Sequence, residues 1–267
     1  MKVRFYINGN KPGVADHRAT LAAGCARFGL VETAGNDADV VIALGGDGTI
    51  LRAVHEFRDL PVLGLNFGGL GYLSAVGGDA AEYALRMLSE GRYVISERSL
   101  VEVRRADGPA VVGRALNDIA IVRGLTGHAA RLDLSVCGRL VTRYLADGIV
   151  IATPTGSTAY SLAAGGPVVL PDSQSLVVTP MNPHALGVRP LVVRDDVVFT
   201  VKVCPRTDGN PVQVGVAADG ENVLTLDAGE SVMIAKSAKT AKLVALEGYD
   251  PYDVLARKLG WTGSCVR

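Results

Sequence analysis

In the run "DVVIAL" (Asp39–Leu44) every residue from Val40 to Leu44 is apolar, and "LPVLGLN" (Leu60–Asn66) comes close to repeating the pattern. Side chains along a strand alternate between its two faces, so a strand apolar at every position must be covered on both sides. Helical patterns lie between such strands. "ADHRATLAAGCARFG" ends on Gly29, "TILRAVHEF" carries Leu51 and Val54 on one side, and "DAAEYALRMLSEG" stops at Gly91. With "VRFYI" as a further strand, this alternation predicts a parallel sheet covered by helices. In such sheets ligands bind at the carboxyl ends of the strands. Two glycine clusters, "GGDGT" (Gly45–Thr49) and "NFGGLGYL" (Asn66–Leu73), fall at those ends.

After about Arg92 the rhythm changes. "VEVRRA", "ALNDIAIVRG", "ARLDLSVCG", "GIVIATP", "SLVVTPM", "DVVFTVKVC", "VQVGVAADG" and "SVMIAKS" are short β-rich runs, and Asp107-Gly108, Asp208-Gly209 and Asp219-Gly220 supply turns. They predict an antiparallel β-sandwich. "DPYDVLARKLGW" returns to a helical pattern, with Val254, Leu255 and Leu259 on one face expected to pack on the first domain. The expected division is therefore an α/β, Rossmann-like domain over 1–91, a β-sandwich domain over 92–247 and a C-terminal helix over 248–267.

Bulk properties narrow the function. Twenty-seven basic and 27 acidic side chains balance, which leaves no electrostatic footprint for nucleic acid or an anionic membrane. No 18-residue apolar run is present to span a bilayer. "MKVRFYING" has no apolar core of a signal peptide, and Cys265 sits one position too late for a prenylation box. Cys25, Cys137, Cys204 and Cys265 are scattered and read as reduced cytoplasmic thiols, three of them buried, with no zinc site.

Three stretches carry chemistry. In "GGDGT" the glycine amides suit phosphate, and Asp47 among them invites two readings. It is either a cap on the amides of "TIL" or a carboxylate facing a hydroxyl, whose proton it takes during phosphoryl transfer while amides, metal and Arg52 meet the phosphate charge. "DGIVIATPTGSTAYSLAAGG" (Asp147–Gly166) joins a buried strand to a loop dense in hydroxyls. Thr153, Thr155, Ser157, Thr158 and Tyr160 either close a turn or read a base and ribose. In "ALNDIAIVRG", Asn117 and Asp118 interrupt an apolar strand, as a bulge or turn or as acceptors for paired ribose hydroxyls. The commonest phosphate-loop, dinucleotide and nucleophile-elbow motifs are absent.

Together these stretches, with "TPMNPHALGVRPLVV" and the closing "YDVLARKLGW", resemble the NAD kinases, ATP-dependent enzymes that phosphorylate the adenosine 2′-hydroxyl of NAD to make NADP. "GGDGT" alone is shared with diacylglycerol and sphingoid-base kinases; the long "TPTGSTAYSLAAGGP" block is far more specific. The resemblance implies an α/β domain and a β-sandwich domain with the site between them. It makes Asp47 the proton acceptor and puts Gly48 and Arg52 beside the phosphates. Asn117 and Asp118 face the adenosine end of NAD, while Asp147, Thr158, Ala159 and Tyr160 surround adenine and ribose. Ser161 and Ala163 belong to the same nucleotide-binding block. His128, Leu145, Asn182 and Glu221 line the remaining nucleotide, some across a subunit interface, so a homodimer or homotetramer is implied. Magnesium is expected with the ATP phosphates, without a dedicated carboxylate cage. Three positions depart from the family pattern: Ala163 replaces a frequent serine, Leu145 stands where relatives have Arg or Gly, and Glu221 replaces a frequent Gln. Strand alternation places Leu145 on the face of Asp147, where it lacks the charge that separates NAD from NADH, so NADH is expected to react too. A lipid-alcohol kinase would have no use for the polar loop, and an idle nucleotide sensor would be marked by loss of Asp47.

Overall fold

The computed structural model describes residues 1–7, 14–35, 37–66, 71–74, 76–77, 80–124 and 128–261. Residues 67–70 of the second glycine cluster, and Cys265, lie outside them. The chain forms two compact units: Met1–Glu97 with Ala241–Arg267, and Arg98–Thr240.

The first unit is the α/β one. Its elements run β1 (Lys2–Ile7), α1 (Val14–Arg27), β2 (Val31–Glu32), β3 (Val40–Leu44), α2 (Asp47–Glu56), β4 (Val62–Asn66), β5 (Val76–Gly77) and α3 (Ala81–Ser89). Strands β2, β1, β3, β4 and β5 pair in parallel. All five residues of β3 are buried, as two-sided cover requires. Val3, Ile42, Leu44, Leu63 and Leu65 share a core with Leu21 of α1 and Leu85 and Leu88 of α3. Gly29 and Gly91 end their helices with φ near +69°, a conformation that costs glycine little. One detail differs from expectation. The buried stripe of α2 is Thr49, Ile50, Ala53 and Val54, and Leu51 is only half-buried. Ile50 fills the space over Gly64 of β4, where a Cβ would collide with it, and this fixes the rotation of the helix.

The second unit is built from most of β6 (Tyr93–Arg105), β7 (Val111–Ala115), β8 (Asp118–Arg123), β9 (Ala130–Val136), β10 (Arg139–Ala146), β11 (Gly148–Ala152), a 3-10 turn at Thr155–Thr158, the single-turn α4 (Tyr160–Ala163), β12 (Ser175–Met181), β13 (Leu191–Arg194), β14 (Val198–Val203), β15 (Gln213–Ala218), β16 (Glu221–Asp227) and the first part of β17 (Ser231–Leu246). One antiparallel sheet has the order β13-β12-β11-β8-β15-β16, and β10, β9, β14 and β17 form another run of antiparallel neighbours. Their inner faces share one core containing Ile119, Ile149, Leu176, Phe199, Val216 and Ile234. The other face of β11 is buried too, with Val150 and Ala152 against Val177, Met181, Ala164 and Val169, which is why "GIVIA" has no polar position.

Strand β17 begins in the second unit beside β14 and ends in the first, where Leu243 pairs with Val62 of β4. The helix α5 (Pro251–Leu259) follows. Asp250 caps it by accepting from Tyr252 N at 2.8 Å, Gly260 ends it at φ +67°, and Val254 and Leu255 are its buried residues. The thiols differ from expectation. Cys25 is buried in the first core, Cys204 is half-buried, and Cys137 is exposed in the β9–β10 turn. A turn tip has no second layer to cover it, whatever the residue's hydropathy.

Candidate active site

Gly45 and Gly46 carry the chain from β3 into α2. Gly45 has φ +148°, and a Cβ on it would meet Thr49 Oγ1 at 2.5 Å. Asp47 is the first residue of α2. Its carboxylate does not cap that helix, whose N-cap Gly46 has no side-chain bond. Instead Oδ2 accepts from Tyr72 N at 2.8 Å and Oδ1 from Leu73 N at 3.2 Å. The loop reaches that close because Gly71 has no side chain; a Cβ there would fall inside the van der Waals shell of Asp47 Oδ1. The buried Ser74 fixes the loop in turn, its hydroxyl accepting from Gly71 N at 2.7 Å. Lys258 of α5 lies over the Tyr72 ring, 5.6 Å from its centroid. Each carboxylate oxygen keeps a lone pair beyond the one its amide uses. A Cβ on Gly48 would meet open space, and Arg52 is exposed on the next turn. The first amides of α2 have no intrahelical acceptor and lie at the positive end of the helix dipole.

In the second unit, Asn117 and Asp118 do not interrupt one strand. They mark the break where the chain leaves β7, paired with β6, and enters β8, paired with β11 and β15. Asp118 is 4% exposed, and its carboxylate accepts from the backbone N–H of Tyr160. Burial, and then the charge of Asp219, push its pKa up to about 7, against the opposing effect of that hydrogen bond.

The hydroxyl-rich loop is stitched onto this break. Thr153 N donates to Asn117 O at 2.8 Å, and Thr153 Oγ1 donates to Leu116 O at 2.5 Å. Gly156 lies so close to Asn117 that a Cβ would collide with its carbonyl. Ser157 Oγ accepts from Val169 N at 3.0 Å and donates to Pro154 O at 2.7 Å. Ser161, fully buried, faces Thr179 Oγ1 at 2.8 Å. In the structure the Thr153, Ser157 and Ser161 hydroxyls hold the loop's own shape, the turn-closing one of the two readings for Thr153 and Ser157. Thr155 Oγ1 is buried with no hydrogen-bond partner. Half-buried Thr158 and Ala159 and exposed Tyr160 and Ala163 are what the loop presents outward.

Asp147 stands apart from these residues. Strands β8 and β11 pair with Asp118 opposite Ala152 and Val122 opposite Gly148. Asp147 thus lies at the far end of the ladder from Asp118, about 16 Å away at roughly 3.3 Å per residue. Within one copy of the chain the structure therefore does not bring Asp147 together with Thr158, Ala159 and Tyr160. Its carboxylate accepts from Arg123 Nε at 2.6 Å and Asn182 Nδ2 at 2.9 Å, which hold its pKa below the usual carboxylate range. Leu145 also differs from expectation: β10 ends at Ala146 and the chain changes sheets at Asp147, so alternation does not carry across. Tyr144 and Ala146 point into the core, while Leu145 is 39% exposed. His128 and Glu221 are exposed as well.

Comparison with known proteins gives this arrangement a family. The model of the ATP-NAD kinase N-terminal domain matches residues 14–93, and that of the ATP-NAD kinase C-terminal domain matches residues 116–246. The chain belongs to the NAD kinase family. A relative from Symbiobacterium thermophilum named NAD kinase is 44% identical over 231 residues, covering 85% of this chain and 80% of its own. An NAD kinase from a Marinomonas species is 35% identical over 258 residues, covering 95% and 87%. Among solved structures, a yeast NADH kinase complexed with NADH has a TM-score of 0.85 at 25% identity, covering 99% of this chain and 89% of its own. An NAD kinase from Archaeoglobus fulgidus in complex with ATP has a TM-score of 0.81 at 26% identity, covering 98% and 100%.

Two polar residues at the sites of this NAD kinase family member escape a reading of the sequence. Arg123 looks like the polar end of a strand, and Asp219 is accounted for by its Asp-Gly turn. Asp118 offers a direct check through stability. Its folded pKa near 7 lies above the ordinary 3.8, so the folded state keeps a proton that the unfolded chain releases. Wild-type stability must then fall as pH rises from about 4 to 7. Asp118→Asn removes that loss, so its melting temperature relative to wild type should be more favourable at pH 8 than at pH 5. A difference that does not grow with pH contradicts the shift.

Proposed function

We propose that the chain transfers the γ-phosphate of ATP to the adenosine 2′-hydroxyl of NAD, forming NADP and ADP. The observation that carries this reading is the orientation of Asp47 at the head of α2, fixed by the Tyr72 and Leu73 amides. In the step, the 2′-oxygen bonds to the γ-phosphorus, the bond from phosphorus to the ADP oxygen breaks, and the hydroxyl proton passes to Asp47. Gly48 and Arg52 accompany the phosphates; Asn117, Asp118 and the Thr158–Tyr160 edge take the nucleoside of NAD.

Among the described residues no three His, Cys, Asp or Glu side chains cluster as a metal cage. Magnesium is accordingly read as part of the Mg–ATP substrate, keeping water and phosphate ligands. Asp147 and Asn182, at the far end of the ladder from Asp118, are assigned to a nucleotide shared with another copy in a homodimer or homotetramer, together with His128, Leu145 and Glu221. Exposed Leu140, Val141 and Leu145 on β10, the last strand of its sheet, support an interface there. No described helix is long and apolar enough to cross a membrane, and a cytoplasmic site of action is part of this proposal.

Incubation with NAD, ATP and magnesium, scored for NADP, tests the proposal. A folded protein that forms none overturns it, and phosphorylation of diacylglycerol or a sphingoid base instead would favour the lipid kinase reading. Replacing ATP by polyphosphate identifies the donor. Replacing NAD by NADH is expected to give measurable product, because Leu145 brings no charge with which to select the oxidised ring. Rejection of NADH by more than about a thousandfold, or over ~4 kcal/mol, would contradict that expectation.

A further inference from the structure

The tip of the β15–β16 hairpin does more than reverse the chain. Asp219 and Gly220 both have positive φ, +49° and +82°, as a type I′ turn requires. From that turn the Asp219 carboxylate reaches the break between β7 and β8. There Oδ2 accepts from Leu116 N at 2.7 Å, and Oδ1 accepts from Asn117 N at 2.8 Å and Asp118 N at 3.2 Å. In return, Asp219 N donates to Asp118 O at 3.0 Å. An extended strand turns successive N–H groups to opposite sides, so three in a row on one carboxylate form a nest, a concavity suited to an anion. The chain is changing sheets here, and one side chain replaces the ladder partners that those amides have given up.

We propose that Asp219 is a positioning residue of the NAD site, which sets the Leu116–Asn117–Asp118 segment through its three backbone hydrogen bonds. The inference rests on the reading of Asp118 as the acceptor of ribose hydroxyl hydrogen bonds. Asp219 itself touches backbone, and it acts on substrate through Asp118. Of the elements packed on Asp118, β11 offers Ala152 opposite it, and the first residue of α4 offers the Tyr160 amide. The charged group that faces it among the described residues is Asp219. Burial and that neighbouring charge both disfavour ionised Asp118, so removing the charge must move its titration to lower pH.

The test compares Asp219→Asn and Asp219→Glu with wild type in NADP formation across pH 5.5 to 9, about 1.5 units or more to each side of the Asp118 value. Asp219→Asn keeps the volume, removes the charge and turns an amide NH2 toward a backbone donor. Its kcat/KM for NAD should fall about ten- to a hundredfold, the scale of a lost charged hydrogen bond, with KM for ATP unchanged. The acid limb of its kcat/KM profile should move to lower pH. Asp219→Glu keeps the charge, so its acid limb should stay near that of wild type even where the longer side chain lowers kcat/KM. If Asp219→Asn does not fold, the same comparison is made with Asp219→Ser, which also lacks the charge. An unmoved acid limb in a folded, neutral variant overturns the inference, since loss of structure alone would lower activity without shifting it. Normal NAD kinetics in that variant overturn it too. If wild type makes no NADP, the underlying reading fails instead, and the two failures are distinct.

Discussion

Asp47→Asn should lower kcat by about 10²–10⁴-fold, the usual worth of a positioned general base, while NAD still binds. The structure adds a second component to this expectation. Both carboxylate oxygens face backbone donors, so an asparagine must turn its NH2 toward either Tyr72 N or Leu73 N. The loop is then released on one side as the base is lost. Asp47→Ala leaves both amides without a side-chain acceptor and avoids that donor clash. If proton removal dominates, the two variants should be similarly inactive. Coupled NADP formation measures kcat, and calorimetric titration with NAD checks binding. Activity within tenfold of wild type in either variant would reduce Asp47 to a tie for the loop.

Gly71→Ala removes no proposed catalytic group and should still cost about 10²-fold in kcat. Its methyl group would overlap Asp47 Oδ1, so the carboxylate or the loop must give way by about an ångström, and a displacement of that size is worth roughly 10²-fold. Gly71 does not sit in the left-handed region, so the requirement is for space rather than backbone freedom. The residues that seat α2, Ile50, Ala53 and Val54, are untouched. Thermal melting should therefore stay near wild type while kcat falls, with KM for both substrates little changed. A melting point that drops along with activity would make Gly71 a folding residue, and unaltered kcat would dissolve the link between the loop and the base.

The parts of the fold that were legible in the sequence are those where burial leaves a local trace. The apolar runs of β3 and β4 announced two-sided cover, and Gly29 and Gly91 marked helix ends. What escaped depends on long-range pairing. Nothing local says that Asn117 lies where one sheet hands the chain to another, because the apolar residues on either side read as one strand. Nor does a hydroxyl declare its direction: Thr153, Ser157 and Ser161 look available to a ligand until their partners, up to 37 residues away, are in place. Asp219 illustrates the same limit. Its turn explains it fully at short range, and its partners lie more than a hundred positions upstream.

The route of β17 has a consequence for biosynthesis. Val244 and Leu246 complete the core around Leu63 and Leu65, and α5 follows them, so the α/β unit is closed by a segment translated after the whole of the second unit. The second unit is one uninterrupted stretch of chain and can be finished on the ribosome first. Until then the amino-terminal end of β4, at Val62, waits for its partner, an exposed strand edge that nascent chains elsewhere could join. A premature stop near residue 240 would spare all of the second unit and leave the earlier-made half without its final strand. The damage from such a truncation would fall on the opposite end of the polypeptide from the lesion.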